Sequence, residues 1–210
     1  MTRQRLTRAE KSAKTRAQLM ASAPQLFLRR GFHAASLELV AEEAGFTIGA
    51  VYSRFGSKAD LFLAILDEHI DRIVAEVAQV AQLDQPLGAH AELLAGRCMT
   101  LLEREREWFP LVLEFWSHAA RDERLRGEFA ARHERLVGAY AGLIEADYAR
   151  LGLPLPLAPE VLARAVVAMG NGIALERLAD PGRVPEGLLS TMAVGFLRGV
   201  AADGPADGRS

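Results

Sequence analysis

The sequence predicts an all-α fold in which an N-terminal head, built around a helix-turn-helix, is joined to a C-terminal helical body. Apolar residues recur at the three- and four-residue spacing of a helix along most of the 210 residues. No convincing run alternates apolar and polar residues as a half-buried strand does. Gly45 separates two short helical patterns, and two helices joined by a tight glycine turn within about twenty residues form a helix-turn-helix.

The composition indicates a soluble globular protein of one or two domains. Half of the residues are hydrophobic and a quarter are charged. The lone cysteine, Cys98, excludes an internal disulfide and a multi-cysteine zinc site, and it fits a reducing compartment. The polar N-terminus lacks the apolar segment of a signal peptide, and the longest uncharged runs, of eleven residues, are too short to cross a bilayer. We therefore expect a cytoplasmic protein without a membrane partner.

Charge is distributed unevenly along the chain. Residues 1–60 carry ten Lys or Arg against five acidic residues, a net charge of +5, whereas the remaining 150 residues sum to −7. A basic N-terminal third on an acidic body is typical of a nucleic-acid-binding module joined to another domain. A chance fluctuation of surface charge would give the same numbers, but the basic part coincides with the helix-turn-helix.

The first fourteen residues are predicted to be a flexible basic arm. Arg3, Arg5 and Arg8 are its candidate DNA contacts, either at phosphates or in the minor groove. The alternative is a solvated terminus without a partner. A first helix is expected from about Thr15 to Arg30. Because Pro24 lacks an N–H and crowds the preceding turn, this helix either bends there or is less regular in its N-terminal part.

The helix-turn-helix itself begins at Ser36, an N-cap residue that precedes the first short helical pattern. Gly45 follows the last periodic residue of that pattern, where a left-handed C-cap is least costly without a Cβ. Thr47 can cap the second helix, whose inward pair is Val51 and Phe55.

A long helix is expected from Ser57 to about Ala81, and helices account for the rest of the chain. Their predicted ranges are 91–107, 110–120, 123–151, 159–179 and 185–201. We therefore divide the chain into the arm (1–14), the helix-turn-helix domain (15–60), a helical body (61–201) and a polar tail (202–210).

The run AGFTIGAVYSRFGSK, which ends at Lys58, resembles the signature of the tetracycline-repressor (TetR) family. The preceding LFLRRGFHAASLELVAEEAG matches the lead-in of that family. The likeness is strong over residues 15–70; beyond residue 80 it covers general helical character and the segment MGNGIALERLADPGRV. The resemblance implies a DNA-binding head on a body that dimerises and binds a small-molecule ligand.

Carried over onto this sequence, the resemblance implies a DNA-contacting surface centred on the second short helix. The residues expected to face the major groove or its backbone are Thr47, Ile48, Gly49, Ala50, Tyr52 and Ser53. Arg54 and Lys58 are expected to reach phosphates, and Ser36 is expected to be a further phosphate contact.

The residues themselves support this surface. Gly49, Tyr52 and Ser53 share the face opposite the inward pair, so a tyrosine hydroxyl could bond a phosphate while Gly49 lets the backbone approach closely. The alternative for Tyr52 is a half-buried core aromatic, and Ile48 also lies one turn before the inward Val51. Because the helix has no Asn or Gln, we expect specificity to depend on apolar contacts, DNA shape and the arm.

The last two predicted helices, 159–179 and 185–201, are the expected homodimer surface. They combine small residues that allow close approach with larger apolar side chains, and the resemblance implies a four-helix interface. The alternative is that they are core helices of a monomer.

The middle helices are expected to enclose an apolar or amphipathic small-molecule effector. Met99, Trp116 and Tyr140 are the candidate ligand-binding residues, although each is also suited to an ordinary core. No cofactor, metal site or catalytic residue is expected, since the five histidines are scattered and no catalytic motif occurs.

The leading hypothesis is a homodimeric repressor that leaves a palindromic DNA operator when it binds its effector. An activator, or a regulator whose ligand promotes DNA binding, is the alternative within the same class. An all-α enzyme or protein-interaction bundle would explain the body but not the spacing between Gly45 and Lys58.

Overall fold

The computed structural model describes residues 7–85, 87–104 and 107–203, which form helices, one short 3-10 turn and connecting loops. The helices are α1 (Arg8–Ala34), α2 (Leu37–Ala44), α3 (Ile48–Tyr52), α4 (Lys58–Ala81), α5 (Leu87–Arg104), α6 (Trp108–Ala119), α7 (Glu123–Leu151), α8 (Pro159–Ala179) and α9 (Leu188–Asp203). No strand occurs in these described stretches, and the all-α prediction is confirmed.

Helix bounds predicted from hydrophobic spacing are most accurate in the second half of the chain. The bounds of α7 and α8 agree with the predicted ranges 123–151 and 159–179. In α5 and α9 the first residues are Leu87 and Leu188, where the predictions were 91 and 185. Deviations of this size are ordinary, because helix ends depend on local capping more than on the apolar stripe.

The predicted start of α1 at Thr15 was wrong, because a capping box starts this helix seven residues earlier. The Glu10 carboxylate accepts from the N–H of Thr7 at 2.7 Å, and the Thr7 hydroxyl accepts from the N–H of Glu10 at 3.2 Å. Together these bonds satisfy two donors at the helix terminus. Residues 8–14, predicted as part of a flexible arm, are therefore helical, while Arg3 and Arg5 and the side chain of Arg8 lie outside the described residues.

Pro24 lies within α1 without disrupting its backbone dihedral angles. The one departure from helical geometry inside α1 occurs at Gly31, with φ +75° and ψ 167°. This positive φ is costly for residues with a Cβ, so glycine suits the position. The regular part of α1 therefore ends at Gly31, as the sequence predicted.

The chain divides into two compact units, and the first contains the helix-turn-helix. It comprises the residues up to His69 together with Pro110–Phe129, which is α6 and the start of α7. Its core is aromatic: the ring of Phe62 stacks on Phe115 at 4.4 Å between centroids and meets Phe27 and Phe32 edge-on at 5.5 and 5.4 Å. Such pairs add specific geometry to the burial of large apolar surfaces.

The second unit comprises Ile70–Phe109 and the chain from Ala130 onward. Tyr148 of α7 is fully buried there and donates its hydroxyl to the carbonyl of Leu197 in α9 at 2.9 Å. Leu162 and Val167 of α8 belong to the same apolar cluster, so three helices share one core. None of the described helices is both long enough and apolar enough to span a membrane.

A buried polar pair connects two helices of the second unit. His90 of α5 and Asp147 of α7 are 1% and 2% exposed, and the imidazole Nδ1 lies 2.8 Å from each carboxylate oxygen. The other ring nitrogen lies 3.0 Å from the carbonyl of Leu83, in the loop that follows α4. The more exposed side chain of Arg150 also forms an ion pair with the Asp147 carboxylate. The pair thus joins α5, α7 and the end of α4.

We expect Asp147→Ala to lower the free energy of unfolding by about 3–5 kcal/mol, because it leaves the buried His90 without its acceptor. Urea denaturation at fixed protein concentration measures this change. Glu145→Ala, which removes an exposed carboxylate from the same helix, is the matched control, with an expected effect within about 0.5 kcal/mol. Equal stability of the two variants would show that the buried pair contributes nothing.

Candidate nucleic-acid interface

The turn between α2 and α3 has the geometry that the sequence predicted. The Ser36 hydroxyl caps α2 by accepting from the N–H of Leu39 at 3.3 Å. Gly45 ends the helix in the left-handed conformation, with φ +70°, and the N–H of Phe46 returns to the carbonyl of Ala41 at 2.8 Å. This closure turns the chain sharply enough for α3 to follow at once.

Helix α3 presents one face to the core and the opposite face to solvent. Val51 is fully buried, and Phe55 just beyond the helix is 3% exposed. Thr47 caps the helix by accepting from the N–H of Ala50 at 3.3 Å. Tyr52 is 52% exposed and Ile48 is 37% exposed, so Tyr52 is not a core aromatic.

The structure brings most of the predicted major-groove residues together on this outer face. Thr47, Ile48, Gly49, Tyr52 and Ser53 are exposed, and Ala50 is half-buried. Apart from the hydroxyl groups, the side chains of this surface are apolar and have few hydrogen-bond donors or acceptors. The contacts of these residues with DNA stay a prediction.

Gly49 has no structural reason to be a glycine within the described part of the chain. Its φ is not positive, and a Cβ placed on it would meet no atom within 4 Å. Glycine inside a helix lowers stability by roughly 0.5–1 kcal/mol relative to alanine. Close approach of DNA to the α3 backbone, which the sequence predicts at this position, would account for the missing side chain and stays a prediction.

Arg54 folds back over the end of α3. Its Nη1 donates to the carbonyl of Ala50 at 2.9 Å and also reaches the hydroxyl of Ser53. Its Nε is buried and has no hydrogen-bond partner among the described residues. The remaining guanidinium N–H groups are those that could serve the phosphate contact predicted for this residue.

Lys58, the first residue of α4, forms hydrogen bonds with the end of α1. Its ammonium donates to the carbonyls of Phe32 and His33 at 2.6 and 3.0 Å and lies 4.6 Å from the centre of the Phe32 ring. Partial burial lowers the pKa of this ammonium, and the nearby Glu114 carboxylate opposes the shift. Two of its three N–H donors serve the fold, so the predicted phosphate contact depends on the third.

Glu114 of α6 completes this arrangement, and the sequence analysis missed it. Its Oε2 accepts from the N–H of Phe32 at 2.6 Å. A Cβ on Gly31 would come within 2.9 Å of the same oxygen, so a larger residue there would displace this carboxylate in addition to straining the positive φ. No local pattern could have identified Glu114, because it lies 82 residues from its partner.

Two further side-chain contacts connect elements of the first unit. Arg16 of α1 places its guanidinium carbon 4.9 Å from the centre of the Phe55 ring. Arg124 of α7 pairs with Asp60 of α4 at 3.0 Å, and Asp60 in turn accepts from the Ser57 hydroxyl at 2.7 Å. The second contact joins the start of α7 to the start of α4.

The structure does not bring the predicted ligand-binding residues together in one unit. Trp116 lies in the first unit, is 55% exposed and stacks on Phe129 with 6.4 Å between ring centroids. Tyr140 lies in the second unit, where it packs against two apolar clusters. The side chain of Met99 is outside the described part of the structure. Their roles in binding a ligand stay predictions.

The predicted dimer helices leave an apolar stripe on the surface. Val161, Ala168, Gly172 and Leu175 recur at helical spacing on α8 and are exposed, with 53% of Leu175 accessible. On α9, Met192, Gly195 and Gly199 form a similar exposed stripe. Exposed apolar residues alternating with small ones suit close packing against another helix pair.

Two family profiles match the chain. Residues 19–65 match the profile described as bacterial regulatory proteins of the tetR family. Residues 89–202 match the profile of the C-terminal part of BetI-type transcriptional repressors. The first match covers the helix-turn-helix, and the second covers most of the second unit as well as α6 and the start of α7.

Individual relatives are regulators as well. The HTH-type transcriptional activator FasR of Mycolicibacterium smegmatis is 30% identical over 99 residues, which span 47% of this chain and 45% of FasR. The HTH-type transcriptional repressor BepR of Brucella suis is 26% identical over 178 residues, 83% of this chain and 85% of BepR. The chain therefore aligns with less than half of FasR but with most of BepR.

The solved structure of the transcriptional regulator FadR from Bacillus subtilis, in complex with stearoyl-CoA, has the same fold. The two structures superpose with a TM-score of 0.71 at 12% sequence identity, over 89% of this chain and 97% of FadR. At this identity the likeness concerns the fold alone.

We expect Gly49→Ala to have opposite effects on stability and DNA binding. An added methyl should raise the free energy of unfolding by about 0.5 kcal/mol, because the helix loses a flexible residue and nothing obstructs the new Cβ. The same methyl should lower DNA affinity by about tenfold, or about 1.4 kcal/mol, by separating α3 from the groove. Urea denaturation and fluorescence anisotropy measure the two quantities.

Gly138→Ala is the matched control, because Gly138 is also exposed in a helix and a Cβ there would meet no atom within 4 Å. It should stabilise the protein without affecting DNA affinity. A Gly49→Ala variant with unchanged DNA affinity would contradict close approach at this position.

Proposed function

Because the chain belongs to the tetR family of bacterial regulatory proteins, we propose that it is a homodimeric transcriptional repressor that a small molecule releases from a palindromic operator. The observation that carries this proposal is the outer face of α3, where a glycine with open space beside its backbone lies near a tyrosine that is 52% exposed. This face would lie in the major groove, as the second helix of a helix-turn-helix does.

Dimerisation follows from the small size of this reading surface. A helix of five residues contacts only a few base pairs, so a single head would bind with low specificity. Two heads related by a two-fold axis would read half-sites roughly 34–36 Å apart. The apolar stripes of α8 and α9 supply a self-complementary surface of the kind that an isologous interface requires.

The head and the body would have separate tasks. Thr47, Ile48, Gly49, Tyr52 and their neighbours would read the operator, largely through methyl groups and DNA shape. The helical body would bind an apolar or amphipathic effector and favour a spacing of the heads that no longer fits the operator. The size of that shift is limited by the differential affinity of the effector for the two states.

A transcriptional activator is the second candidate. Its support is the relationship to FasR, which is an activator, over 99 residues. Both candidates need the same DNA-binding head and are cytoplasmic, and they differ in whether the bound protein blocks or promotes transcription. A reporter gene under the control of the bound site distinguishes them, since a repressor lowers expression and an activator raises it.

The binding test uses the DNA upstream of the gene for this protein. We expect a specific shift of a palindromic fragment, with an affinity that falls steeply as salt rises because phosphate contacts release counterions. Tyr52→Ala and Lys58→Ala should each weaken this binding by about tenfold or more while the protein stays dimeric.

Lys58→Ala also removes two hydrogen bonds of the fold, so the salt dependence identifies the cause of its effect. Loss of a phosphate contact should reduce the slope of log affinity against log salt by about 1 for each subunit. If affinity falls while the slope of log affinity against log salt is unchanged, Lys58 acts only by positioning the helices of the head. Unchanged affinity in both variants would exclude α3 as the reading helix.

The dimer surface is tested by Leu175→Asp. A carboxylate in the centre of the apolar stripe should dissociate the dimer, as measured by sedimentation velocity, and should abolish the operator shift. Leu153→Asp, which places the same charge on an exposed leucine of the loop between α7 and α8, is the control and should remain dimeric. A dimeric Leu175→Asp protein would show that the interface lies elsewhere.

A further inference from the structure

Both ring nitrogens of the buried His90 face oxygen atoms that act as hydrogen-bond acceptors. Nδ1 lies 2.8 Å from each oxygen of the Asp147 carboxylate, and Nε2 lies 3.0 Å from the carbonyl oxygen of Leu83. A neutral imidazole carries one N–H, so it can donate to one of these groups and must turn a lone pair towards the other. Two donated bonds require the doubly protonated imidazolium.

Arg150 does not offer a neutral ring an alternative donor. Its Nη2 lies 3.4 Å from Nδ1 of His90, whereas both oxygens of Asp147 lie 2.8 Å from the same nitrogen. A bare Nδ1 would therefore face the lone pairs of a carboxylate at hydrogen-bond distance. Arg150 instead donates to Oδ1 of Asp147, and a carboxylate is the acceptor with which a guanidinium pairs. The Asp147 carboxylate thus accepts from both neighbours.

Among the described groups around the ring, the charges balance when the imidazole is charged. Asp147 and Asp84 are the acids, and Oδ1 of Asp84 lies 3.5 Å from Nη1 of Arg150. Arg150 and the imidazolium are the cations. Arg198 of α9 also approaches Gly88 at the start of α5, but its side chain is exposed, so water and salt screen its charge. Without the imidazolium, the buried Asp147 carboxylate would depend on the partly exposed Arg150 for its counter-charge.

We propose that His90 makes the second unit responsive to pH: its imidazolium joins the loop that follows α4 to α7, and loss of one proton releases this loop. The remaining proton stays on Nδ1, because the Asp147 carboxylate is a stronger acceptor than a backbone carbonyl. Nε2 then presents a lone pair to the carbonyl of Leu83, and the connection from α5 to the loop is lost. The response needs neither DNA nor an effector.

The response has one direction, because the folded state retains a proton that the unfolded chain releases. Free histidine loses this proton at about pH 6.5. The stability that the connection contributes is therefore complete below about pH 6.5 and is lost as the pH rises through the titration of the folded ring. Histidines that are buried in the neutral form give the opposite dependence, because they gain a proton when the chain unfolds in acid.

Nuclear magnetic resonance can observe the two ring protons directly. Long-range proton–nitrogen correlation distinguishes protonated from bare ring nitrogens, and through-bond correlation to the backbone assigns the signals of His90 in the unmodified protein. At about pH 7.5, where free histidine is mostly neutral, we expect both nitrogens of His90 to be protonated. The same protein unfolded in urea is the reference and should show mostly neutral rings. A single protonated nitrogen in the folded protein would refute the proposal.

Urea denaturation at fixed protein concentration tests the consequence for stability. Between about pH 6.5 and about pH 8.5, the folding equilibrium constant of the unmodified protein should fall relative to that of His90→Gln, by up to about tenfold per pH unit. His90→Gln lacks this titrating ring, so the contributions of the other titrating groups cancel in the comparison. Equal pH dependence of the two proteins would contradict the proposed role of His90.

Asp147→Asn separates the charge of the acceptor from its shape. The amide oxygen can still accept from Nδ1, but without a negative charge beside it the ring of His90 should lose its second proton at about pH 7.5. Glu145→Gln removes an exposed carboxylate from the same helix and should leave both protons in place. Two protonated ring nitrogens in Asp147→Asn would overturn the proposal. The spectrum of the unmodified protein decides the matter if neither variant of the pair folds.

Discussion

The structure of the first unit depends on the hydrogen bonds that α4 and α6 form with the end of α1. At Gly31 the chain leaves helical geometry, and the peptide groups of Phe32 and His33 need hydrogen-bond partners from outside α1. Lys58 satisfies two carbonyls there and Glu114 satisfies an N–H, so opposite charges from two helices close one turn. Because Lys58 directly follows the connection from α3, this turn also influences the position of α3.

Local chemistry accounts for what could be predicted. Ser36, Gly45 and Thr47 act on backbone groups within three or four residues, so their caps follow from the sequence and are present in the structure. Apolar spacing is also a local pattern, and the bounds of α7 and α8 agree with the ranges that it predicts. The capping box at Thr7 was equally local, but it precedes the apolar stripe by which the start of α1 was judged.

What escaped prediction is contact between distant parts of the chain. Glu114 and Arg124 each pair with residues more than sixty positions away, and their own neighbourhoods look like ordinary helix surface. The same limit applies to His90 and Asp147, whose burial distinguishes them from other histidines and acids. Trp116 shows the converse, since a large aromatic that suits a binding cavity lies on the surface instead.

The exposed stripe on α8 and α9 has a consequence for gene dosage. If two copies must associate before they bind DNA, the amount of active species grows with the square of the monomer concentration when dimers are scarce. A cell that doubles its supply of this chain would then raise the active species about fourfold by the same law of mass action. A protein surface of leucine, methionine and glycine can in this way make a genetic response steeper than the change that causes it.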